Sequence, residues 1–525
     1  MRSTMWSPEA DTTTQAAPTQ GPPAWDAAVI DVGSNSVRLV LYRVEGRAVW
    51  TVFNEKILAG LGRDLATSGR LSPDGVEAAM AALRRFAALV GAAAPTRVFA
   101  VATAAARDAE DGPAFCRRVR AETGLDLRVL SGGEEARYAA LGVLAGAPES
   151  VGLAGDLGGA SLELVRLENG APGDGVTLPL GPFAFKDNGR FDPDRVRGQV
   201  ERRLKPHVDA LKTPVFHAVG GAWRNLALLA MRMSSYPLEI IHQYEMTRRE
   251  ALEAARLISH QSVRSLERIE GISRRRLETL PHAAAVLEGL VDTLGVDRVV
   301  LSAYGLREGV LFEAMSPACR AEDPLIEGCA ALSAREGVNP TLGPAVQAWL
   351  GPAFGNLEPV LGAREPVLLS AACRLADLGA RLHPDHRADL IFHQVLRAPI
   401  PGMNHAERVF LATTMFARHT AAETVPKPDL IARLLTHERV QRARALGAAI
   451  RLACDMSGRS PDLLRQANLE IRPSSLVVEA DEPAAAILLG EQTAKRAATL
   501  AALLERELKV RPASRRERTK QEKVA

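Results

Sequence analysis

The chain has 525 residues, which is enough for roughly three domains of about 150 residues each. Hydrophobic residues make up 47% and charged residues 24%, so the composition is that of a folded globular protein and excludes disorder as the main state. The formal net charge is +3, and residues 511–525 carry a net +4, so the remaining chain sums to −1 and lacks the positive excess of a protein that coats nucleic acid.

The chain order of elements predicts two α/β parts followed by a helical part. Residues 1–24 are rich in Thr, Pro, Ala and Gln and predict a flexible arm. Strands and helices then alternate up to about residue 315, and the pattern starts a second time near Val151. We therefore predict domains at 25–148, 149–315 and 316–510, with a solvated basic tail at 511–525.

Several individual elements can be predicted from hydrophobic period and end signals. Ser72 and Pro73 are typical of a helix start, and apolar residues follow at helical spacing. A second helix is predicted from Glu134 onward, and an amphipathic helix over Ile487–Lys509. The strands predicted in the first part are Ala27–Ile30, Val37–Val44, Val98–Thr103 and Leu127–Leu130.

Five scattered cysteines without a CxxC pair indicate neither a disulfide framework nor a zinc module, which is typical of a reduced cytoplasmic protein. No apolar run approaches the roughly 18 residues that a membrane span needs. We expect a cytoplasmic protein without a membrane partner. The run Arg274–Arg276 predicts a solvated helix face, with a path for a polyanion as the alternative.

A duplicated ten-residue segment is the most informative feature of the sequence. Residues 31–40 read DVGSNSVRLV and residues 156–165 read DLGGASLELV, so Asp, Gly, Ser, Leu and Val recur in register at a displacement of 125. Each copy predicts a strand, a turn of small residues and a second strand. A single copy could be an ordinary hairpin, but the matched pair predicts two equivalent turns.

The residue types in these turns suit phosphate binding. Gly33, Ser34, Asn35 and Ser36 in the first copy, and Gly158, Gly159 and Ser161 in the second, leave backbone N–H groups open to an anion. Because side chains alternate along a strand, Arg38 shares a face with Ser36, and Glu163 shares one with Ser161. One copy therefore offers a cation and the other a carboxylate.

Two further glycine turns follow predicted strands. Gly220 and Gly221 come after residues 215–218, and Gly305 to Gly309 come after residues 299–302. A strand that meets a helix N-terminus at such a turn is a common anion site. These turns add Gly220 and Gly221 to the candidate phosphate-binding residues.

The ordered motifs resemble one superfamily and, within it, one family. Two α/β halves that each open with a phosphate-binding hairpin resemble the acetate and sugar kinase, heat-shock ATPase and actin superfamily. The closer resemblance is to the exopolyphosphatase and guanosine pentaphosphate phosphatase (Ppx/GppA) family. It covers residues 27–315 and is carried by DVGSNSVRLV (31–40), ATAAARDAEDG (102–112), LSGGEEARYAALGV (130–143), GDLGGASLELV (155–165), LPLG (178–181), VGGAWRNLA (219–227) and YGLREGVL (304–311).

The resemblance implies a fold of two ribonuclease H-like (actin-like ATPase) domains with a phosphate-binding cleft between them. It implies that Glu135 activates the attacking water, that Asp156 and Glu163 surround a Mg²⁺ ion and the terminal phosphate, and that Arg107 serves catalysis. The sequence departs from the family pattern at Ala160, where a third Gly is usual, and at Leu162, where Thr is common. The selection of Glu135 over Glu134 rests on the resemblance alone.

The C-terminal part resembles the all-helical, HD-like domain of longer family members, on residues 373–396 and 401–413. A metal-dependent HD site needs an adjacent His-Asp pair, and this chain has Ala376–Asp377. We therefore expect packing or substrate binding there and no metal site.

The expected activity is exopolyphosphatase, the release of terminal phosphate from inorganic polyphosphate, with guanosine pentaphosphate or tetraphosphate as a further substrate class. Two alternatives stay open: an ATP-dependent kinase or ATPase of the same superfamily, and a polyphosphate or alarmone sensor without turnover. A second copy of the chain in a homodimer is the expected protein partner.

Overall fold

The computed structural model describes residues 24–185, 191–261, 265 and 279–513. The predicted arm lies outside these residues except for Ala24, as do the run Arg274–Arg276 and residues 514–525 of the predicted tail. Among the described residues, no helix is both long enough and apolar enough to cross a membrane.

The first sheet has five strands in the order β3-β2-β1-β4-β5. The hairpin β1–β2 is antiparallel, and β4 then pairs with β1 in parallel. The strands are β1 Ala24–Val32, β2 Val37–Glu45, β3 Ala48–Ile57, β4 Arg97–Ala102 and β5 Arg128–Val129. The helices are α1 Leu65–Ser68, α2 Pro73–Ala93, α3 Ala104–Asp108, α4 Gly112–Thr123 and α5 Gly132–Gly146.

The second sheet repeats this order and adds one edge strand, giving β10-β11-β9-β6-β7-β8. Its strands are β6 Gly152–Leu157, β7 Leu162–Glu168, β8 Ala171–Leu178, β9 Val215–Val219, β10 Glu245–Thr247 and β11 Arg298–Leu301. Its helices are α6 Pro193–Leu204, α7 Val208–Leu211, α8 Gly221–Met233, α9 Arg248–Ser259, α10 Leu280–Leu294 and α11 Leu306–Ala314, with 3-10 turns at Pro182–Ala184 and Lys205–His207. The matching strand orders confirm the predicted pair of ribonuclease H-like folds.

The predicted starts of the early elements agree with the structure. Ser72 is the N-cap residue of α2, and the apolar residues Met80, Leu83 and Val90 are buried along one face of it. The helix predicted from Glu134 begins two residues earlier, because the Ser131 side chain accepts a hydrogen bond from the Glu134 N–H and caps the helix.

Helices α5 and α11 cross between the two sheets. Ala136, Ala140 and Val143 of α5 pack in one core with Ala154 and Val165 of the second sheet. Leu311 of α11 packs in a core with strands β1 and β2 of the first sheet. Each helix therefore packs on the sheet of the other half of the chain. The domain boundaries 148/149 and 315/316 stay predictions.

The crossing of α5 and α11 depends on two glycines. A Cβ at Gly309 would lie 1.9 Å from the Tyr138 carbonyl oxygen, and one at Gly142 would lie 2.1 Å from that of Gly305. Neither backbone can accept a side chain without a shift of the partner helix.

We expect Gly309→Ala to lower the free energy of unfolding by about 1–3 kcal/mol or more, because the new methyl group overpacks the crossing. The matched control is Gly91→Ala in α2, where an added Cβ meets no atom within 4 Å. The control should be neutral or stabilising by up to about 1 kcal/mol. Urea unfolding of both variants measures the difference, and equal effects would contradict the packing role.

The C-terminal region is mainly helical, as predicted, and also contains a small sheet. Its helices are α12 Pro317–Ala321, α13 Pro324–Arg335, α14 Leu342–Phe354, α15 Glu365–Arg374, α16 Arg387–Arg397, α17 His405–His419, α18 Pro428–Leu434, α19 His437–Met456, α20 Pro461–Leu464, α21 Ala485–Leu488 and α22 Glu491–Leu503, with a 3-10 turn at Gly362–Arg364. The sheet consists of β12 Ala467–Ile471, β13 Ser475–Ala480 and β14 Glu507–Pro512, in the order β12-β13-β14.

The small sheet corrects two predictions at the end of the chain. The single helix predicted over Ile487–Lys509 is broken at Leu489 and Gly490, between α21 and α22. It is also wrong beyond Leu503, because Glu505 adopts a left-handed conformation (φ 55°) and β14 then pairs with β13 in parallel. The predicted tail also begins too early, since Arg511 lies in β14 and pairs with Glu479 at 2.6 Å. Strand β14 alternates exposed and half-buried residues, a period-two pattern that the helical interpretation missed.

Asp377, at the position of the missing His-Asp pair, is an ion-pair residue in this fold. Its Oδ1 lies 2.6 Å from Arg459 Nε and 3.7 Å from Arg418 Nη2. The likeness of this region to an HD domain stays a prediction.

Candidate active site

The two copies of the duplicated segment form equivalent turns. The Gly33 N–H donates to the Ser36 carbonyl at 3.0 Å in the first loop (residues 33–36), and the Gly158 N–H donates to the Ser161 carbonyl at 2.9 Å in the second loop (residues 158–161). The predicted structural repeat is present at the level of single hydrogen bonds.

A neighbouring segment holds each loop by its carbonyl groups. In each loop, the carbonyl groups of the second and third residues accept hydrogen bonds from two backbone N–H groups of the neighbouring segment. The two donor residues lie two positions apart in that segment. The four bonds are Gly62 to Ser34 (2.8 Å), Gly60 to Asn35 (3.0 Å), Phe183 to Gly159 (2.8 Å) and Gly181 to Ala160 (3.1 Å). Ala160 therefore occupies the place that Asn35 has in the first loop. Its backbone is not in the left-handed conformation, so alanine fits at this position where the family usually has a third glycine.

The remaining N–H groups of both loops are available for a ligand. Within the described part of the chain, no acceptor pairs with the backbone N–H of residues 34–36 or 159–161. All six residues line one cleft of about 660 Å³ between the two sheets. Unpaired N–H groups in a concave turn of small residues form a site for phosphate oxygens.

The walls of the cleft differ in charge. Directly opposed residues on neighbouring antiparallel strands point to the same face, so each sheet contributes a row of three side chains. The first row is Asp31, Arg38 and Lys56, and the second is Asp156, Glu163 and Thr177. The first row thus contains two cations and one carboxylate, whereas the second contains two carboxylates and no cation.

Two half-buried arginines, Arg224 and Arg307, add positive charge to the cleft. The Arg307 Nη1 lies 2.8 Å from Asp31 Oδ2, while the Nε atoms of Arg307 and Arg224 are buried without a hydrogen-bond partner among the described residues. Burial, followed by the charges of Arg307 and Arg224, lowers the pKa of Arg38 to about 10. Three guanidinium groups that repel each other in a cleft form a site for a polyanion.

Glu135 lies in the first turn of α5 and faces the cleft. It is 8% exposed, and the Arg107 Nη1 donates to its Oε2 at 3.1 Å. Burial raises the pKa of Glu135 to about 7, against the opposing effect of Arg107. A carboxylate with a pKa near neutrality is suited to accept a proton during hydrolysis.

Glu134 has a different place. Its side chain accepts a hydrogen bond from the Ser131 N–H at 2.9 Å and contacts Arg128, so it closes the capping box of α5. The two adjacent glutamates therefore differ in position: Glu134 caps the helix and Glu135 lines the cleft, a difference that the sequence alone did not predict.

Asp156 and Glu163 lie opposite each other on the second sheet, with Glu163 buried and Asp156 half-buried. Burial raises the pKa of Asp156 to about 6 and raises that of Glu163 well above its usual range, and the charge of Glu135 acts on Glu163 in the same direction. Glu163 is 1% exposed, and its Oε1 has no hydrogen-bond partner among the described residues. A buried carboxylate oxygen without a donor is suited to a cation.

The donor set fits Mg²⁺, which binds oxygen ligands and takes one or two carboxylates together with substrate phosphates. In the described parts of the chain, no three His, Cys, Asp or Glu side chains are grouped so that they could hold a metal alone. Asp156 and Glu163 would therefore supply two carboxylate ligands to such an ion, and substrate oxygens would supply others.

Gly220 is required where β9 meets α8. Its φ is 109°, and a Cβ there would lie 2.8 Å from the Leu157 carbonyl oxygen and 3.0 Å from Asp156 Oδ1. The close approach of this turn to Asp156 brings Gly220 and Gly221 into the cleft beside the second loop.

Nearly all predicted site residues line this cleft: Gly33, Ser34, Asn35, Ser36, Arg38, Glu135, Asp156, Gly158, Gly159, Ser161, Glu163, Gly220 and Gly221. Arg107 does not line it and contacts Asp108 and Glu135 instead. The cleft is also lined by four charged residues that were not predicted as site residues from the sequence: Asp31, Lys56, Arg224 and Arg307. Asp31, Arg224 and Arg307 lie within the family motifs 31–40, 219–227 and 304–311. A charged residue beside a glycine turn is the signal that could have identified them as site residues.

Comparisons with known proteins agree with this geometry. The model of the Ppx/GppA phosphatase family matches residues 39–317, and the model described as exopolyphosphatase, C-terminal, matches residues 329–510.

Among solved structures, a Ppx/GppA family member from Aquifex aeolicus is 26% identical, with 55% of this chain and 97% of that chain covered and a TM-score of 0.49. An exopolyphosphatase from Cytophaga hutchinsonii is 21% identical, with 55% and 97% covered and a TM-score of 0.51, a likeness of fold. The first family match spans more than half of the sequence and contains the second loop and Glu135. The chain belongs to the Ppx/GppA phosphatase family.

Proposed function

We propose that this protein is an exopolyphosphatase that releases terminal orthophosphate from linear inorganic polyphosphate. The observation that carries the proposal is the position of Glu135, a buried carboxylate with a pKa near 7 in a cleft lined by two phosphate-binding loops. The positive wall of Arg38, Arg224 and Arg307 supports a substrate with several adjacent negative charges.

The chain's own groups account for the main requirements of phosphoanhydride hydrolysis. The open N–H groups of the two loops bind and orient the terminal phosphate and stabilise the charge that develops on its oxygens. Glu135 orients a water molecule and accepts its proton as the bond to phosphorus forms. The half-buried arginines hold the remaining phosphates and stabilise the leaving group.

Asp156 and Glu163 would hold Mg²⁺ beside the second loop. When bound, the ion neutralises charge on the phosphate oxygens. Glu163 Oε1 is the oxygen best placed to contact the ion, because it is buried and has no hydrogen-bond donor among the described residues.

Removal of divalent metal should abolish turnover, and added Mg²⁺ should restore it. We expect Glu163→Gln to raise the Mg²⁺ concentration for half-maximal rate by about ten-fold or more, since one charged ligand is lost. Glu168→Gln, an exposed change at the end of the same strand, is the control and should leave this concentration unchanged. Full activity in a chelator would contradict the metal site.

A substrate panel tests the function. Phosphate release is measured with polyphosphate, guanosine pentaphosphate, or ATP with and without an acceptor, each with Mg²⁺. We expect release from polyphosphate as the sole substrate. A requirement for nucleotide and acceptor would identify a kinase, and tight polyphosphate binding without release would identify a sensor.

A further inference from the structure

A second cavity lies in the C-terminal region, away from the cleft. It has a volume of about 650 Å³ and is formed by α19, α22 and the end of α17. No residue lines both this C-terminal cavity and the cleft. Its volume is within the range of about 300–1,000 Å³ that is usual for small-molecule sites.

Three arginines from two helices line the C-terminal cavity. Arg444 and Arg451 are seven residues apart on α19 and so share a face, and Arg496 comes from α22. The Nε of Arg496 lies 2.7 Å from Asp455 Oδ2, and the Nε of Arg451 lies 3.8 Å from the same oxygen. One carboxylate is shared by two guanidinium groups, so the half-buried part of the cavity keeps a positive charge, while the three glutamates among the lining residues are exposed.

Two further observations show this excess. Burial, followed by the charge of Arg496, lowers the pKa of Arg451, which indicates that the two cations repel each other at a half-buried position. Arg444 makes no ion pair with any residue that the structure describes. Arg444 has no acidic partner among the described residues, and Arg451 has only a share of Asp455, an arrangement that favours binding of an anion.

We propose that the C-terminal cavity binds a compact anion that carries a phosphate group. Guanidinium groups form paired hydrogen bonds with phosphate oxygens, and the hydroxyl groups of Thr420 and Thr499 line the same space. The inference does not depend on the proposed hydrolysis, because the cavity and the cleft are separate.

The rim restricts the kind of anion. Glu423, Glu438 and Glu505 are exposed there and repel an extended polyanion such as a polyphosphate chain. No Phe, Tyr or Trp is among the lining residues, and the one imidazole among them, that of His437, is exposed, so the cavity offers little stacking surface for a nucleobase. Free orthophosphate and the phosphate group of a small monoester both meet these restrictions, because each is a compact anion with several phosphate oxygens.

The test is titration calorimetry of the full-length protein with inorganic phosphate in one arm and glucose 6-phosphate in the other. Each arm compares the unchanged protein with Arg444→Met. This change removes a positive charge without breaking an ion pair with any residue that the structure describes. Lys495→Met is the matched control, because Lys495 is exposed beside Arg496 and does not line the cavity. Thr499→Val is an independent second variant of the lining.

We expect at least one probe to bind with a component that Arg444→Met weakens by about ten-fold or more, as loss of a charged hydrogen-bond donor implies. Thr499→Val should weaken the same component, and Lys495→Met should change it by less than two-fold. Stronger binding of glucose 6-phosphate would identify a monoester site, and equal binding an orthophosphate site. Isotherms that Arg444→Met and Thr499→Val leave unchanged, or that Lys495→Met weakens equally, would overturn the proposal.

Discussion

Glu135→Gln should reduce turnover of polyphosphate by about 10² to 10⁴, with binding of polyphosphate retained. Glutamine keeps the size and the hydrogen bonding of Glu135 but cannot accept the proton of the attacking water. The steady-state rate and a separate binding isotherm measure the two effects. Both are needed, because a loss of affinity alone would indicate a binding role.

Glu134→Gln is the matched control for this change. Glu134 is the adjacent residue on α5, but its side chain closes the capping box and contacts Arg128. We expect a loss of turnover below about ten-fold and a loss of stability of about 0.5–2 kcal/mol from the weakened cap. A larger loss of turnover in Glu134→Gln than in Glu135→Gln would show that the base is wrongly assigned.

The pH profile gives a further readout of Glu135. Because burial raises the pKa of this carboxyl to about 7, the base is ionised above that pH and becomes protonated below it. The rate at low substrate concentration should therefore fall as the pH is lowered through 7. A rate that stays constant down to pH 5 would contradict a base with this pKa.

Arg107→Met should lower turnover by about ten-fold or more, equivalent to about 1.4 kcal/mol per factor of ten. The structure shows Arg107 paired with Asp108 on one side (2.9 Å) and Glu135 on the other (3.1 Å). Methionine keeps the bulk and removes the charge that favours ionised Glu135. Arg107 therefore acts through Glu135 in this structure, as a positioning residue.

A pH profile distinguishes this role from a purely structural one. Loss of the Arg107 charge raises the pKa of Glu135 further, so the acidic limb of the profile should move up by about one unit or more. Arg117→Met removes an equal charge from an exposed position on α4 and should leave the limb in place. A drop in rate without any shift of the limb would assign Arg107 to structure alone.

The sequence by itself determined the repeat and the residue types of the site. Two gap-free copies of one segment specify two identical turns, because a chain of small residues between apolar strands has few other conformations. The family resemblance and the phosphate loops were therefore accessible without a structure. Local signals also located the start of α2 and the capping region of α5.

Only the tertiary structure decided how residues distant in sequence act together. Glu134 and Glu135 have nearly the same local propensity, and burial against the second sheet is what separates a cap from a base. The glycine turns beside Arg224 and Arg307 could indicate these two residues, but only the packing of α8 and α11 shows that both helices begin at the same cleft. Among the described residues, strand β14 pairs with β13 alone. Its six residues carry too short a strand pattern to outweigh the helical pattern of the residues before them, so the strand could be identified only from this pairing.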